Sequence, residues 1–312
     1  MATIYNQPIP SVKFENAEDF RINNSGTYIY NSTNEDRSSH IDSWKDENLH
    51  LSLIEIVSEK ATSFIFDHDD GEIEISLRSE VQISSFFEDY CEERIYIDIT
   101  GLSRHIWPSL LKIAFKLNID VYVAYVEPNE YKKSTAPTEG QIYDLSNNIE
   151  GISPIPGFTS LAERDSENTI FIPLLGFEGT RLAYIFEQVQ PPNEQIVPVI
   201  GVPGFKLEYP FETYLGNKRI LTETGAWKRA KFASANCPFD VFYLLQKLST
   251  YYSNKCFDLA IIGTKPQALG AILFSIITDH PTEIFYDHPI KKTGRTSGLD
   301  YLHLYHVSAL NR

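Results

Sequence analysis

The chain has 312 residues, a formal net charge of −15, 42% hydrophobic residues and 22% charged residues. This composition is typical of a folded globular protein and excludes a largely disordered chain. No stretch approaches the roughly 20 apolar residues that span a bilayer, and the first residues lack the basic and apolar blocks of a secretory signal. We therefore expect a cytoplasmic protein without a membrane-spanning segment.

The negative charge is confined to the first half of the sequence. Residues 1–150 carry 12 Lys and Arg against 27 Asp and Glu, whereas residues 151–312 carry 15 of each kind. An acidic surface repels nucleic-acid backbones, so broad nucleic-acid binding is disfavoured, and the neutral half is the expected place for an anion site. Three isolated cysteines, without the spacing of zinc ligands, predict no metal site and favour a reducing compartment.

Residues 1–93 contain short β-rich segments separated by polar stretches. Thr62–Phe66 and Glu72–Leu77 are rich in β-branched and aromatic residues, and the Asp70-Gly71 pair between them is a favoured tight-turn sequence. These segments predict an antiparallel hairpin. We therefore predict an acidic, partly antiparallel N-terminal region over residues 1–93.

Residues 94–312 instead alternate strands with helices. The segments IYIDITGL, SRHIWPSLLKIAFKLN and DVYVAYVEP are typical of a strand, a helix and a second, parallel strand. Segment 128–168 is rich in Pro, Gly, Ser and Asn and is either a linker, which would subdivide the region, or a long functional loop. The alternation then resumes and predicts a Rossmann-like α/β body with a mostly parallel sheet flanked by helices.

The turn IGTKPQALGA, at residues 262–271, carries the strongest sign of ligand binding. It ends an apolar strand and begins a helix, so a glycine permits close approach of a phosphate, backbone amides form an anion site and a lysine adds charge. The turn is neither a Walker A nor a GxGxxG motif. The alternative is a strand-to-helix turn capped by Thr264. The ligand-contact candidates here are Gly263, Thr264, Lys265 and Gly270.

Two other glycine turns repeat this pattern more weakly. In LLGFEGTRLAYIF the ligand-contact candidates are Gly176, Gly179, Thr180 and Arg181. A guanidinium at a helix start can form a fork to phosphate, and the alternative is a capped turn with an exposed ion pair. In IDITGLSRHIW, Arg104 follows the glycine and is a further candidate.

Three acid-base groups lie near these turns or beside a basic loop. Asp98 lies within an apolar strand, where a carboxylate needs either a function or a structural partner such as a neighbouring amide. Glu178 precedes a predicted helix, and His288 precedes the stretch KKTGRTSG, which is either a lid or a surface loop. These residues are the candidates for catalysis, although the GxSxG elbow of a serine hydrolase is absent from the sequence.

The segments DITG, at 98–101, and IGTKPQALGA resemble the CRISPR-associated Rossmann-fold (CARF-like) nucleotide sensors and their relatives in bacterial anti-phage signalling. The likeness lies mainly in the strand-GTK-helix turn by which that group grips the phosphates of cyclic oligonucleotides. The doubled glycine that usually precedes Thr-Lys in the group is missing here. The resemblance implies that Thr264 and Lys265 contact a ligand.

Three functions are compatible with these patterns. The first is binding or sensing of a nucleotide or other phosphorylated ligand within a bacterial defence or signalling complex, with a protein partner. The second is an enzyme that acts on a nucleotide or sugar phosphate, with one of the three acid-base groups as acid or base. The third is a scaffold without a ligand. The sequence identifies no cofactor.

Overall fold

A computed structural model describes residues 10–33, 35–69, 71–138, 140–158 and 165–311. Its strands are β1 (Ser11–Phe14), β2 (Gly26–Tyr30), β3 (Leu51–Lys60), β4 (Ser63–His68), β5 (Gly71–Ser76), β6 (Arg94–Asp98), β7 (Asp120–Val126), β8 (Glu130–Tyr131), β9 (Lys133–Thr138), β10 (Gln141–Tyr143), β11 (Ser146–Ile149), β12 (Thr169–Leu174), β13 (Val199–Gly201), β14 (Lys231–Ala233), β15 (Cys256–Ile261), β16 (Thr282–Phe285), β17 (Pro289–Lys291), β18 (Thr296–Ser297) and β19 (Leu302–His306). Its α-helices are α1 (Glu80–Tyr90), α2 (Trp107–Lys116), α3 (Gly179–Val189), α4 (Tyr209–Gly216), α5 (Lys218–Glu223), α6 (Pro238–Tyr251) and α7 (Lys265–Ile277).

An eight-stranded mixed sheet has the order β1-β19-β7-β6-β2-β3-β4-β5. Its central strands β7, β6, β2 and β3 are parallel, while the strands at both edges are antiparallel. The predicted β-α-β unit is confirmed as β6, α2 and β7, and the predicted hairpin as β4 and β5, with Asp70 outside the described residues. Because β2 pairs with β6, strands from both sides of the predicted boundary at residue 93 belong to one sheet.

A second sheet, in the order β14-β13-β12-β15-β16, is entirely parallel. All six residues of β12 are buried, as expected for a parallel strand with both faces covered. The prediction of an α/β protein with parallel pairing is therefore confirmed in its coarse form, but the strands divide between two sheets. Local periodicity does not reveal this division, because each β-α-β unit has the same pattern in either sheet.

The two sheets share one hydrophobic core, which α1, α2, α6 and α7 fill from between them. Helices α3 and α5 cover the outer face of the parallel sheet, and the N-terminal segments pack on the outer face of the mixed sheet. Gly270 lies where α7 crosses α6, since a Cβ there would meet the Pro238 carbonyl oxygen at 2.2 Å. Among the described residues, no helix combines the length and apolar character needed to cross a membrane.

The segment predicted as a linker or functional loop forms short strands that pair with the C-terminal part of the chain. Strand β8 pairs with β18, and β11 pairs with β17, both antiparallel, while β9 and β10 form their own hairpin. Strands β8 and β11 are therefore held by pairing across a large sequence separation, with the β9–β10 hairpin between them. We call β8–β11 together with β17 and β18 the cover.

Two buried cations join the ends of the two sheets by a reciprocal exchange. The ammonium of Lys265, after β15, donates to the carbonyl oxygens of three residues after β6, at 2.6 to 2.8 Å, namely Ile99, Thr100 and Leu102. Arg104, after β6, donates in turn to the carbonyl oxygens of Ile261, at 3.1 Å, and Gly263. Each turn thus supplies the donors for the backbone acceptors that the other leaves unpaired.

Replacing Lys265 with methionine should destabilise the fold. Lys265→Met keeps the apolar stem but leaves the carbonyl oxygens of residues 99, 100 and 102 without their donor, and we expect the free energy of unfolding to fall by about 2 kcal/mol or more. Urea unfolding measures the change. The exposed Lys247 on α6 provides the control Lys247→Met, which should change stability by less than about 0.5 kcal/mol. Equal stability of both variants would contradict this role.

Candidate functional site

A cavity lies beneath the cover, where the carboxyl ends of β6 and β15 meet. The space within it and at its open mouth, solvent included, amounts to about 930 Å³. The turns after β12, β13 and β15 form one wall, β7 and α4 form others, and the cover closes it. The charged and aromatic side chains that line it are Arg37, Arg104, Glu178, Arg181, Lys265, Lys291 and Arg295, with Tyr125, Tyr131, Phe177, Phe205, Tyr209 and Tyr286.

Positive charge predominates in this cavity. Of the described residues that line it, six are Lys or Arg and one, Glu178, is an acid. Two further acids lie behind the wall: Glu35 pairs with Arg37 and Arg295, and Asp287 pairs with Arg181. Even with all three acids counted against the six cations, the cavity keeps an excess of positive charge.

Arg181 is already engaged by an internal carboxylate. Its Nε and Nη2 donate to the two oxygens of Asp287 at 2.7 and 2.5 Å, and Nη1 donates to the Ile262 carbonyl oxygen at 3.4 Å. Burial alone would lower the pKa of Arg181, but the buried Asp287 raises it above its usual value. The fork that the sequence predicts for a phosphate is therefore formed with Asp287.

Most polar groups of the turn after β15 form hydrogen bonds within the protein. Thr264 is the N-cap of α7 and forms a capping box with Gln267, while its hydroxyl donates to the Ala235 carbonyl oxygen at 2.5 Å. A Cβ at Gly263 would lie 2.5 Å from Oε1 of Gln267, so a larger residue there would displace the side chain that completes the capping box. The capped-turn alternative thus describes the local contacts, although Gly263, Thr264 and Lys265 all line the cavity.

Lys265 carries its charge among other cations. Burial lowers the pKa of this lysine well below its usual value, and Lys291 and Arg37 lower it further. Its N–H groups donate to the three neutral carbonyl oxygens described above. The ammonium therefore contributes positive potential to the cavity wall, and no carboxylate of the described residues is among its hydrogen-bond partners.

Lys291, on β17, is the cation with the fewest partners. No hydrogen bond or ion pair joins its ammonium to another described residue, and the acids that act on it through space are Glu59 and Glu35. Burial lowers the pKa of Lys291 to about 8, and Arg295 contributes to the shift in the same direction. A half-buried ammonium without a bonded acid is an evident partner for a ligand anion.

An aromatic cluster lines the end of the cavity near α4. The Phe177 and Tyr209 ring centroids are 5.0 Å apart at 77°, and Tyr131 lies 5.5 Å from Phe177 at 74°. Tyr143 stacks on Phe177 at 4.1 Å and fixes its orientation. These rings give this end of the cavity an apolar lining beside its cationic part.

Asp98 lies outside the cavity and is held by structural partners. One oxygen accepts from Nε2 of His40 at 2.7 Å and the other from the Thr100 amide at 2.7 Å. The Trp44 indole donates to Nδ1 of the same imidazole at 2.9 Å, which places the histidine proton on Nε2. Burial alone would raise the pKa of Asp98, but His40 and Thr100 outweigh it and hold the pKa below its usual value.

The other two catalytic candidates differ in position. Glu178 lines the cavity, where its carboxylate accepts from the Leu145 amide at 3.2 Å and from the Ser146 hydroxyl at 2.9 Å, so it anchors the cover. His288 does not line the cavity; its Nε2 meets the Ser153 carbonyl oxygen at 3.1 Å. The structure therefore brings only Glu178 to the candidate site.

The predicted ligand contacts divide in the same way. Gly176, Arg181 and Arg104 join the 263–265 turn in lining the cavity, whereas the exposed Thr180, together with Gly179 and Gly270, lies outside it. Sequence reasoning missed Arg37, which lies in an irregular N-terminal segment, and noted Lys291 and Arg295 only as parts of a basic cluster. The lysine and arginine content of KKTGRTSG was the available signal for the latter two.

Replacing Asp98 with asparagine should impair folding rather than ligand binding. In either amide orientation the Asn NH2 group would face a donor, Nε2–H of His40 or the Thr100 amide, so we expect the free energy of unfolding to fall by about 2 kcal/mol. Chemical denaturation measures this loss. Asp42→Asn, at an exposed residue of the same N-terminal segment, is the control. An unchanged unfolding midpoint would instead argue that the carboxylate serves another purpose.

The lowered pKa of Lys291 predicts that stability rises with pH above about 8. The folded protein releases the proton near that pH, whereas an unfolded lysine keeps it to about pH 10.4, so deprotonation favours the folded state in between. Lys291→Met should abolish this rise and stabilise the protein at pH 7 by about 2 kcal/mol. Unfolding curves at several pH values measure both effects, with Lys292→Met as the control, and parallel curves for the two variants would contradict the assignment.

Comparison with known proteins identifies no family for this chain. No model of a protein family matches the chain, and no curated protein matches it. The resemblance to CARF-like sensors therefore stays a prediction from two short motifs. The charges, burial and contacts of the cavity are the basis for a functional proposal.

Proposed function

We propose that the cavity binds a nucleotide or another phosphorylated ligand with an aromatic ring, and that the chain acts as a sensing component of a bacterial defence or signalling complex. The observation that carries the proposal is the excess of buried positive charge, with Lys291 unpaired among the described residues. Buried charges normally have an opposite charge as partner. An anionic ligand would supply that partner.

The mutual effects of the cations support this reading. Burial lowers the pKa values of Lys265, Lys291 and Arg104, and neighbouring cations lower each of them further. Holding these groups charged together therefore costs free energy in the ligand-free protein. A phosphate within reach would remove the repulsion and gain charge-assisted hydrogen bonds, which are the stronger kind.

The aromatic cluster favours a nucleotide over inorganic phosphate. Phe177, Tyr131 and Tyr209 offer ring surface close to the cations, which suits a base linked to its phosphates. The cavity also lies at the carboxyl ends of β12, β13 and β15, where Rossmann-like parallel sheets bind their ligands. Together with the resemblance of the 262–271 turn to CARF-like sensors, these features support a nucleotide signal, and the sensing role implies a protein partner that receives it.

An enzyme acting on a nucleotide or sugar phosphate is the second candidate. The observation that favours it is the carboxylate of Glu178 in the cavity wall. Against it, both oxygens of Glu178 already accept hydrogen bonds from the cover, and Asp98 and His288 lie outside the cavity. The contacts therefore favour binding over turnover.

Calorimetry with a panel of nucleotides should identify a ligand whose binding depends on Lys291. The panel contains AMP, ADP, ATP, cyclic dinucleotides, cyclic trinucleotides and pyrophosphate. Lys291→Met should weaken binding at least about tenfold, the effect of one charge-assisted contact. Lys292→Met is the matched control, because that neighbouring ammonium pairs with Asp144 outside the cavity lining. If no compound of the panel binds, the proposal fails.

The same binding should weaken as the pH rises past about 8. A bound phosphate stabilises the ammonium form of Lys291, so binding near pH 8 takes up protons. Titrations in two buffers with different ionisation enthalpies measure this uptake, which Lys291→Met should remove.

Incubation of the bound nucleotide with the protein, followed by chromatography, tests the enzymatic alternative. If a product forms, and Glu178→Gln abolishes its formation but retains binding, the result would favour an enzyme.

A further inference from the structure

Glu35 joins two of the guanidiniums that line the cavity. Its Oε1 accepts from Nε of Arg295 at 2.6 Å, and its Oε2 accepts from Nε of Arg37 at 2.9 Å and from the Thr296 hydroxyl at 3.1 Å. Only 11% of the Glu35 side chain is exposed. Burial alone would raise the pKa of Glu35, but Arg37 and Arg295 hold it well below its usual range, so the carboxylate stays charged.

The two arginines meet Glu35 through Nε and leave their outer nitrogens for other partners. Arg37 uses Nη1 on the Tyr125 hydroxyl, at 3.1 Å, and on the Val126 carbonyl oxygen, at 3.2 Å. Within the described part of the chain, no hydrogen bond involves Nη2 of Arg37 or either Nη of Arg295. Both arginines line the cavity, whereas Glu35 is not among the lining residues.

Arg181 shows the opposite arrangement. Asp287 takes both its Nε and its Nη2, which closes the edge that would bind a phosphate. Glu35 takes only one nitrogen from each of its two arginines, so it fixes the planes of both guanidiniums without occupying their outer edges. Asp36 adds to this by accepting from the Gly298 amide at 3.0 Å, which fastens the loop that carries Arg295.

We infer that Glu35 is a positioning residue that holds Arg37 and Arg295 side by side, so that their outer nitrogens bind one phosphate group of the ligand. This inference rests on the function proposed above and names the part of the cavity where the phosphate binds. Nη2 of Arg37 and the two Nη groups of Arg295, which have no hydrogen-bond partner among the described residues, can form several charge-assisted hydrogen bonds to the oxygens of a single phosphate. Lys291 lines the same cavity, and an anion bound there would offset the free-energy cost of its unpaired ammonium.

The direction in which one substitution changes ligand affinity distinguishes a positioning role for Glu35 from a purely electrostatic one. Glu35→Gln removes a negative charge near the cavity, and electrostatics alone therefore predicts tighter binding of an anion. Positioning predicts weaker binding, because an amide cannot accept from both Nε groups and the released arginines regain rotamer freedom that binding must then remove. The two roles thus have opposite effects on affinity.

Calorimetry with the panel compound that binds most tightly to the wild type tests the inference. We expect Glu35→Gln to weaken its binding at least tenfold. The matched control is Glu88→Gln, which removes the same charge from an exposed acid of α1 outside the cavity lining, and we expect it to leave the affinity unchanged or slightly tighter. A crystal structure of Glu35→Gln should show the two guanidiniums displaced from their present positions.

Each outcome decides between the two proposals. If the wild type binds and Glu35→Gln binds equally well or more tightly, the positioning role is overturned and the proposed function stands. If no compound binds the wild type, both fail. Should Glu35→Gln not fold, as judged by its thermal unfolding, Arg295→Lys replaces it: this variant keeps the charge but loses the fork, and an unchanged affinity would overturn the inference.

Discussion

The exchange of Lys265 and Arg104 between the two strand ends is the contact on which the cavity depends. Carbonyl groups just after β6 and at the end of β15 are buried, and buried carbonyls need donors. Each turn takes its donors from the other, so the two turns can approach closely only as a pair. Lys265 and Arg104 each add a positive charge to the junction, and neither forms an ion pair with a carboxylate in the part of the chain that the structure describes. A positive wall follows directly from this way of joining the sheets.

The remaining cations make that wall costly in free energy without a ligand. Arg37 comes from the acidic half of the chain, and Lys291 and Arg295 come from the C-terminal part that pairs with the cover. Burial and neighbouring cations lower the pKa values of Lys265 and Lys291, and of the acids that the structure describes only Glu35 and Asp287 form ion pairs with the lining cations. Net charge along the sequence therefore says little about the site, because local geometry concentrates basic residues from both halves at one place.

The cover contributes Tyr131 to the aromatic end of the cavity, where Phe177 follows β12 and Tyr209 lies on α4, and it is held in place by contacts distant in sequence. Tyr131, Glu178 and the loop around Arg295 meet there through the β8–β18 and β11–β17 pairings. Glu178, a catalytic candidate from its sequence position, is used to anchor this cover. A carboxylate with both oxygens occupied is better suited to holding a lining segment in place than to moving protons, which agrees with a binding role for the cavity.

The sequence by itself determined two local units, β6-α2-β7 and the β4-β5 hairpin, because apolar periodicity and turn residues act over a few positions. The alternative interpretation of the 262–271 turn, a strand-to-helix turn capped by Thr264, is confirmed as well. The sequence also indicated the 263–265 turn as part of a site. Only the tertiary structure decided that the strands form two sheets, that Lys265 binds carbonyl oxygens, and that Arg37 and Lys291 share the cavity. These outcomes depend on which distant segments pair, and neither charge nor periodicity along the chain encodes the partner of a buried cation.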